Sequence, residues 1–491
     1  MRGYLKFRDC QSCPILLIED IMQKIFVNSY INFALCLRDR SGFQLGFDNM
    51  KCNASINQTY HLAAWSWNRL SRSVIVELVA TVLCIYFIFR FAALYESETT
   101  LMSKLISTLQ QLSNSLDDHI MLQMELHSKL KRTNLPPDKV TIPVLVIACN
   151  RPTASRPIDK LLQLKSEMLK QNNFEFPIFV SHACDDHVTE KVLRSYQDSI
   201  TVIKPKSPLI NPVQSSSLKV FEGYRHVSHH YKWALDQLFM VHNYSTVIIV
   251  EDDLDLAPDF LSYFVGAYNL LTQDNTLFCA SAFNDNGRLQ LIDITRPELL
   301  YRTDFFPGLG WMLLRKFWLE IRKGWPDIYW DEYMRKSYVR KGRACIRPEI
   351  SRSITFGREG ISHGQYFDSH LKYIKLSSAK INFQQLDLSY LKEDVYRNKF
   401  KQLVYEDSVE MSFKHYMNNR SSLPHNSKSI RITYETRKEF EEIAKALGIM
   451  FDFKCGVSRN AYMGVVPVFV NGHRLYIAPP SNWSGYNESW V

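Results

Sequence analysis

The chain has no Gly-x-Gly-x-x-Gly and no Gly-x-x-x-x-Gly-Lys-[Ser/Thr] among its strand-and-helix segments. That excludes an ordinary dinucleotide fold or a P-loop as the source of any phosphate chemistry. It has no RRM-like, zinc-finger or other nucleic-acid module signature. The Lys and Arg behind its net charge of +9 are scattered rather than massed. Mild basicity of that kind favours anionic ligands and membrane surfaces without specifying nucleic acid. Cys10-Gln11-Ser12-Cys13 has the spacing of half a zinc site, but no second close pair completes it. What remains is 491 residues, 46% hydrophobic and 22% charged, enough for a large core and two folded domains with appendages.

Residues 1–72 form an aromatic-rich leader without clean periodicity, and residues 73–94 an apolar run of roughly the 20 residues that cross a bilayer as a helix. Arg69 and Arg72 precede the run and Glu96 and Glu98 follow it, which predicts a cytosolic N-terminus and a single-pass type II membrane protein. The distance from Met1 and the lack of a cleavage site argue against a signal peptide. Residues 95–139 carry Leu105, Leu109, Leu112, Leu116, Ile120 and Met124 at helical spacing. They predict a helical stem with a face for self-association. Sequons stand at Asn53, Asn57, Asn243, Asn419, Asn482 and Asn487, and the last four would face a lumen in this orientation.

From residue 140 to 375, short apolar runs alternate with helical patterns, which predicts an α/β domain with a mostly parallel sheet. Residues 376–491 read as a smaller mixed domain. Within the first, Val247-Ile248-Ile249-Val250 is a strand buried on both faces, and Glu251-Asp252-Asp253 follows it at once. The carboxyl ends of strands in open α/β sheets are where ligands bind. Hard oxygen donors there suit Mg²⁺ or Mn²⁺ against a diphosphate, although three acids in a row also serve as a turn capping the next helix. Phe305-Phe306-Pro307-Gly308-Leu309-Gly310-Trp311 joins aromatic bulk to glycines, Tyr329-Trp330-Asp331-Glu332-Tyr333 sets carboxylates among rings, and residues 356–365 form a Gly-rich polar loop able to close over a ligand.

Taken together, residues 143–151, 230–235, 247–260, 281–287, 301–311, 330–335 and 342–375 resemble the N-acetylglucosaminyltransferase I family, glycosyltransferase family 13. The resemblance runs from about residue 140 to the C-terminus and does not include the leader. It implies a GT-A fold, a lumenal catalytic domain at the Golgi membrane, UDP-GlcNAc as donor, Mn²⁺ as cofactor and a high-mannose N-glycoprotein as acceptor. It implies inverting transfer of GlcNAc in β-1,2 linkage to the α-1,3-mannose of the five-mannose N-glycan. Asp253 matches the metal ligand, Asp331 the catalytic base, and Arg151, His230, Glu251, Asp252 and Ser362 the donor-binding positions. Cys149 with Cys184, and Cys279 with Cys345, match the family's disulfides. Three departures stand out. Asn150 and Ala183 occupy positions where the family commonly has Asp, the second at the uracil contact. Trp330-Asp331-Glu332-Tyr333 replaces a more usual Trp-Asp-Asp-Trp. The competing readings are β-1,2-GlcNAc transfer to protein O-linked mannose, and a Golgi lectin that kept the fold and lost catalysis.

Overall fold

The computed structural model describes residues 139–490, apart from 170–172, 211–220, 359, 422 and 424–427, together with residues 80, 83–84, 100–112 and 115. The leader lies outside the described residues, as does the expected membrane span apart from Ala80, Leu83 and Cys84. Among the described residues no helix is long and apolar enough to cross a membrane. The chain divides into two compact units, Met1–Thr133 and Asn134–Val491. In the first, residues 100–112 are helical, with Leu101, Leu105, Leu109 and Leu112 exposed.

The second unit is built on an eight-stranded sheet. Its first half alternates as the sequence predicts: β1 (Val144–Ala148), α1 (Ser155–Leu169), β2 (Ile178–His182), α2 (His187–Arg194), β3 (Thr201–Ile203), α3 (Glu222–Asp236) and β4 (Thr246–Glu251). The chain starts at β1, winds outward through β2 to β3, then returns to lay β4 on the other side of β1, all in parallel. The winding direction therefore reverses between β1 and β4, and a crevice opens at their carboxyl ends. Side chains alternate along these strands. Val144, Val146, Ile248 and Val250 enter one core cluster, whereas Leu145, Ile147, Val247 and Ile249 enter the other, on the opposite face. Continuous β-branched runs are needed here because both faces of the sheet are covered.

The second half departs from a parallel expectation. After β5 (Leu254–Leu256) and α4 (Phe260–Gln273) come β6 (Leu277–Ser281), β7 (Leu300–Thr303) and β8 (Trp311–Leu314). β8 inserts antiparallel between β4 and β6. β9 (Ala344–Pro348) lies parallel to β6 and antiparallel to β7. The sheet is mixed because the turn at residues 305–310, with Gly308, Leu309 and Gly310 at positive φ, feeds β8 back into the gap beside β4. That turn serves the core: a Cβ on Gly310 would come within 3.2 Å of Ser353.

β10 (Ser353–Thr355) pairs antiparallel with β5, Leu254 opposite Thr355. This small ribbon carries the Gly-rich loop to the acidic triplet. Towards the C-terminus, α6 (Glu393–Tyr405), which follows α5 (Trp330–Arg335), packs Tyr396, Phe400 and Val404 into the core of the main sheet. A separate core forms around β11 (Ile430–Thr433), α7 (Arg437–Leu447), β12 (Val466–Val470) and β13 (His473–Ala478). The two cores are riveted by Ser281-Ala282-Phe283-Asn284-Asp285-Asn286-Gly287. Arg459 Nη1 donates to Asp285 at 2.6 Å, Asn460 Nδ2 to Asn284 at 2.5 Å, and the Met450 amide to Asn286 at 2.9 Å. That polar motif is structural: the buried side chains of Asn284, Asp285 and Asn286 each have a partner from residues 450–460.

Candidate active site

Glu251 ends β4, and Asp252 and Asp253 follow before β5 begins. Directly across the crevice, β1 ends at Ala148 and runs through Cys149 to Arg151. The Cys149 amide donates to Asp252 Oδ2 at 3.1 Å, and Arg151 Nη1 donates to Asp252 Oδ1 at 3.3 Å. Arg151 also forms an ion pair with Asp253. The Cys149–Cys184 disulfide ties this turn to the end of β2, and Cys279–Cys345 ties β6 to β9. Both pairings implied by the resemblance are present. The second joins directly opposed residues of neighbouring strands.

Three carboxylates thus share one guanidinium. Burial, and then the Asp253 charge, pushes the Glu251 carboxyl well above the usual carboxylate range. Burial also raises Asp252, to about 6, against the opposing pull of Arg151. A buried acidic cluster with too little compensating charge is the chemistry of a cation site, and all its donors are hard oxygens. Among the described residues no group of three or more His, Cys, Asp or Glu side chains closes into a metal cage, the triplet included. Such a cation would be shared with a ligand rather than enclosed by protein, as is usual for Mg²⁺-type sites on phosphates. The Asp253 surroundings fit this reading. A Cβ on Gly357 would fall 2.0 Å from Asp253 Oδ2, so only glycine lets the loop backbone lie there. The Phe356 amide donates to the Asp253 carbonyl at 2.9 Å. A Cβ on Gly360 would come within 2.9 Å of Arg151 Nη2. The loop therefore lies over the triplet and Arg151, with Ser362 exposed two residues further on.

Asp331 stands at the start of α5 and is joined to the triplet by an aromatic relay. Tyr231 on α3 donates from its hydroxyl to Glu251 Oε1 at 2.8 Å, and its ring stacks on Trp330 with centroids 4.1 Å apart. Trp311 and Trp325 stack on Trp330 as well, at 5.8 and 5.9 Å. Trp330 is buried, while the Asp331 side chain next to it remains 42% exposed. Arg335, one turn on, donates to Asp331 Oδ2 at 2.6 Å. Burial works to raise the Asp331 pKa, and the Arg335 charge and hydrogen bond outweigh it, so the carboxylate sits below its usual range. Asp331 is held ionised on a rigid mount.

Of the expected donor-binding residues, Arg151, Glu251 and Asp252 come together with the expected metal ligand Asp253, and the Ser362 loop comes to them. His230 does not reach the acids. It is buried on α3, its Nε2 2.7 Å from Ser181 Oγ at the end of β2. Burial, and then His182, lowers its pKa to about 4, so the imidazole is neutral throughout the physiological range. The sign of its contribution to stability follows. The unfolded ring titrates near 6.5 and the folded one near 4, so stability is full above pH 6.5 and falls as pH drops towards 4. The loss is up to about 3 kcal/mol. Urea unfolding of the parent chain is expected to show that acid loss, and His230→Gln to show a flatter profile over the same window. Parallel profiles would contradict it.

Reading motifs singly misses Tyr231, Gly357 and the Trp311–Trp330–Trp325 stack. Tyr231 carries a signal in hindsight: it adjoins His230 in an otherwise amphipathic helix, where a fully buried hydroxyl needs a partner.

A family model described as the GNT-I family matches residues 68–490. The alpha-1,3-mannosyl-glycoprotein 2-beta-N-acetylglucosaminyltransferase of Arabidopsis thaliana is 34% identical over 394 residues, covering 78% of this chain and 85% of its own. Among solved structures, the mannosyltransferase PcManGT from Pyrobaculum calidifontis in complex with GDP-Man and Mn2+ aligns at 15% identity and a TM-score of 0.27. It covers 47% of this chain and 62% of that one. The mannosyl-3-phosphoglycerate synthase from Rubrobacter xylanophilus aligns at 15% and 0.23, with 36% and 55% covered. Overlaps this small carry no argument about the site. The family match and the Arabidopsis relative establish the family alone: this chain belongs to the GNT-I family.

Proposed function

We propose that the chain is an inverting GT-A glycosyltransferase that moves GlcNAc from UDP-GlcNAc, in β-1,2 linkage, onto the α-1,3-mannose of the five-mannose N-glycan. The observation that carries this reading is the relay Glu251–Tyr231–Trp330–Asp331. That relay supports the reading because it joins Asp331 and an undercompensated acidic cluster through one rigid frame at the sheet's switch point. Asp253 would hold a divalent cation such as Mn²⁺, which when bound supplies positive charge against the donor diphosphate. Arg151 contributes a fixed charge on the same side, and Asp252, turned towards it by the Cys149 amide, keeps that charge in place.

Asp331 acts on the acceptor. The mannose hydroxyl attacks the anomeric carbon, the bond from that carbon to the UDP oxygen breaks, and the hydroxyl proton passes to the Asp331 carboxylate. Because Arg335 holds Asp331 ionised, the residue begins each turnover ready to accept. Its lowered basicity means that the proton moves only as the new C–O bond makes the hydroxyl acidic. A single base is enough for inversion, so no paired glycosidase carboxylates are needed. Gly357 lies against Asp253 and Gly360 against Arg151, so the loop backbone covers one side of the charged cluster. The anchored N-terminal segment expected from the sequence, with the Golgi setting that the family resemblance implies, supports an enzyme at the Golgi membrane that faces glycoproteins in transit.

The test is to incubate the full chain in detergent with Mn²⁺, UDP-GlcNAc and the five-mannose N-glycan, beside an O-mannosyl peptide. Transfer to the N-glycan that EDTA abolishes is expected. Preference for the peptide would move the enzyme to the O-mannose reaction, and transfer to neither would leave a glycan-binding protein.

A further inference from the structure

Beside Asp331 lies a cleft that the transfer chemistry leaves unassigned. It has a volume of about 600 Å³ and is lined by Tyr329, Glu332, Lys336, Tyr338, Lys454 and Cys455, among others. Tyr329 and Glu332 flank Trp330-Asp331 in the chain, so the cleft opens on the same helix start that carries the base. The volume falls inside the range of about 300–1,000 Å³ typical of small-ligand sites, more than one sugar ring requires. The walls come from two separate parts of the fold, α5 with its flanks and residues 454–455 of the C-terminal core.

The cleft's chemistry is specific. Two glutamates, Glu332 and Glu488, face two lysines, Lys336 and Lys454, and Lys454 Nζ is 2.9 Å from Glu332 Oε1. A balanced set of charges suits a neutral ligand with many hydroxyls; it does not suit a phosphate or a nucleotide. Two tyrosine rings are offered to solvent: Tyr338 is 62% exposed and Tyr329 38%, giving flat apolar faces of the kind amphipathic ligands cover. Tyr329 holds a left-handed backbone at φ 53° and Cys455 another at φ 50°. Non-glycine residues take that conformation at a cost, and they persist where surrounding structure enforces them, often at binding sites. At Tyr329 the turn sets the ring 4.7 Å from Tyr224 and leaves Trp330 to enter the stack.

The geometry points to this cleft as the seat of the acceptor's remaining sugars: a neutral oligomannose arm extending from the mannose that receives GlcNAc, packed on Tyr338 and hydrogen-bonded by Lys454 and Glu332. The inference rests on the proposed transfer to mannose for its substrate class, and on the cleft alone for its place. It makes Tyr338 and Lys454 determinants of acceptor size rather than of chemistry.

Two measurements test it, one without turnover. Cys455 is a half-buried free thiol on the cleft wall, so its modification by a maleimide, followed by peptide mass in the full chain at mildly alkaline pH, reports occupancy. The five-mannose N-glycan is expected to slow that modification about fivefold or more at saturation, and UDP-GlcNAc alone to leave it unchanged. In steady-state assays, Tyr338→Ala and Lys454→Ala are each expected to raise KM for the five-mannose glycan about tenfold, with KM for UDP-GlcNAc unchanged. The penalty should shrink with methyl α-mannoside as acceptor, and Tyr338→Phe should restore the parent value. Absent protection of Cys455, or equal penalties for the large and small acceptors, overturns the assignment. A penalty seen only with intact glycoprotein also overturns it, in favour of a protein-docking surface. Protection of Cys455 in a chain that transfers to no mannoside would keep the cleft as a mannan site and remove the proposed reaction instead.

Discussion

Asp331→Asn is expected to lower turnover by about 10³-fold while KM for UDP-GlcNAc stays within a factor of about two. The substitution keeps shape and removes only the ability to take a proton. The mount survives it, because Trp330 is fixed by Tyr231, Trp311 and Trp325 and not by the carboxylate. Arg335 loses its closest partner but keeps Glu332 at 3.5 Å and the Phe306 carbonyl at 3.2 Å, so the helix start should hold. The acidic triplet is untouched, and UDP binding, read by calorimetry with Mn²⁺ present, should match the parent. Near-parental turnover in this variant would remove Asp331 from the role of base. A loss confined to UDP binding would show that α5 serves the donor instead.

Asp253→Asn should show a different signature, with function lost and stability kept. Turnover is expected to fall by about 10²–10³-fold, the scale on which one preorganised charge at a developing anion counts, and UDP binding should lose its dependence on a divalent cation. The metal-free protein, by contrast, should be at least as stable as the parent at pH 7. The Asp253 charge is among the causes that raise both Glu251 and Asp252. A carboxylate whose folded pKa lies above its unfolded value loses stability as pH rises through that interval. Removing Asp253 lowers the folded pKa of both neighbours and shrinks the loss, while Arg151 keeps Asp252 as its partner. Chemical denaturation with chelator present, at pH 5 and pH 7, checks the sign. A variant clearly less stable than the parent at pH 7 would show that the triplet is held together chiefly by the Arg151–Asp253 pair.

The strands on either side of the crevice were legible because they are local. The continuous runs rich in β-branched residues at 144–148 and 246–250 fit a sheet covered on both faces. The β10 pairing that lays Gly357 against Asp253 was not legible, since it joins residues a hundred positions apart through backbone bonds that leave no trace in side-chain pattern. The antiparallel insertion of β8 was hidden for the same reason: a four-residue buried strand reads alike in either direction. Ser281–Gly287, one of the segments that resemble the family, is a polar rivet to residues 450–460.

The sequence by itself determined the α/β class, the acidic triplet at a strand end and the Trp-Asp pair, because periodicity, residue chemistry and motif are properties of neighbours in the chain; the two disulfide pairs were implied only by the family resemblance, and the fold joins them. Only the tertiary structure decided that Tyr231 links Glu251 to Trp330, that His230 is buried against Ser181 away from the acids, and that a neutral, tyrosine-walled cleft opens beside Asp331. Burial, charge balance and ring stacking are set by which distant residues meet, and that meeting raises Asp252, lowers Asp331 and shapes the cleft.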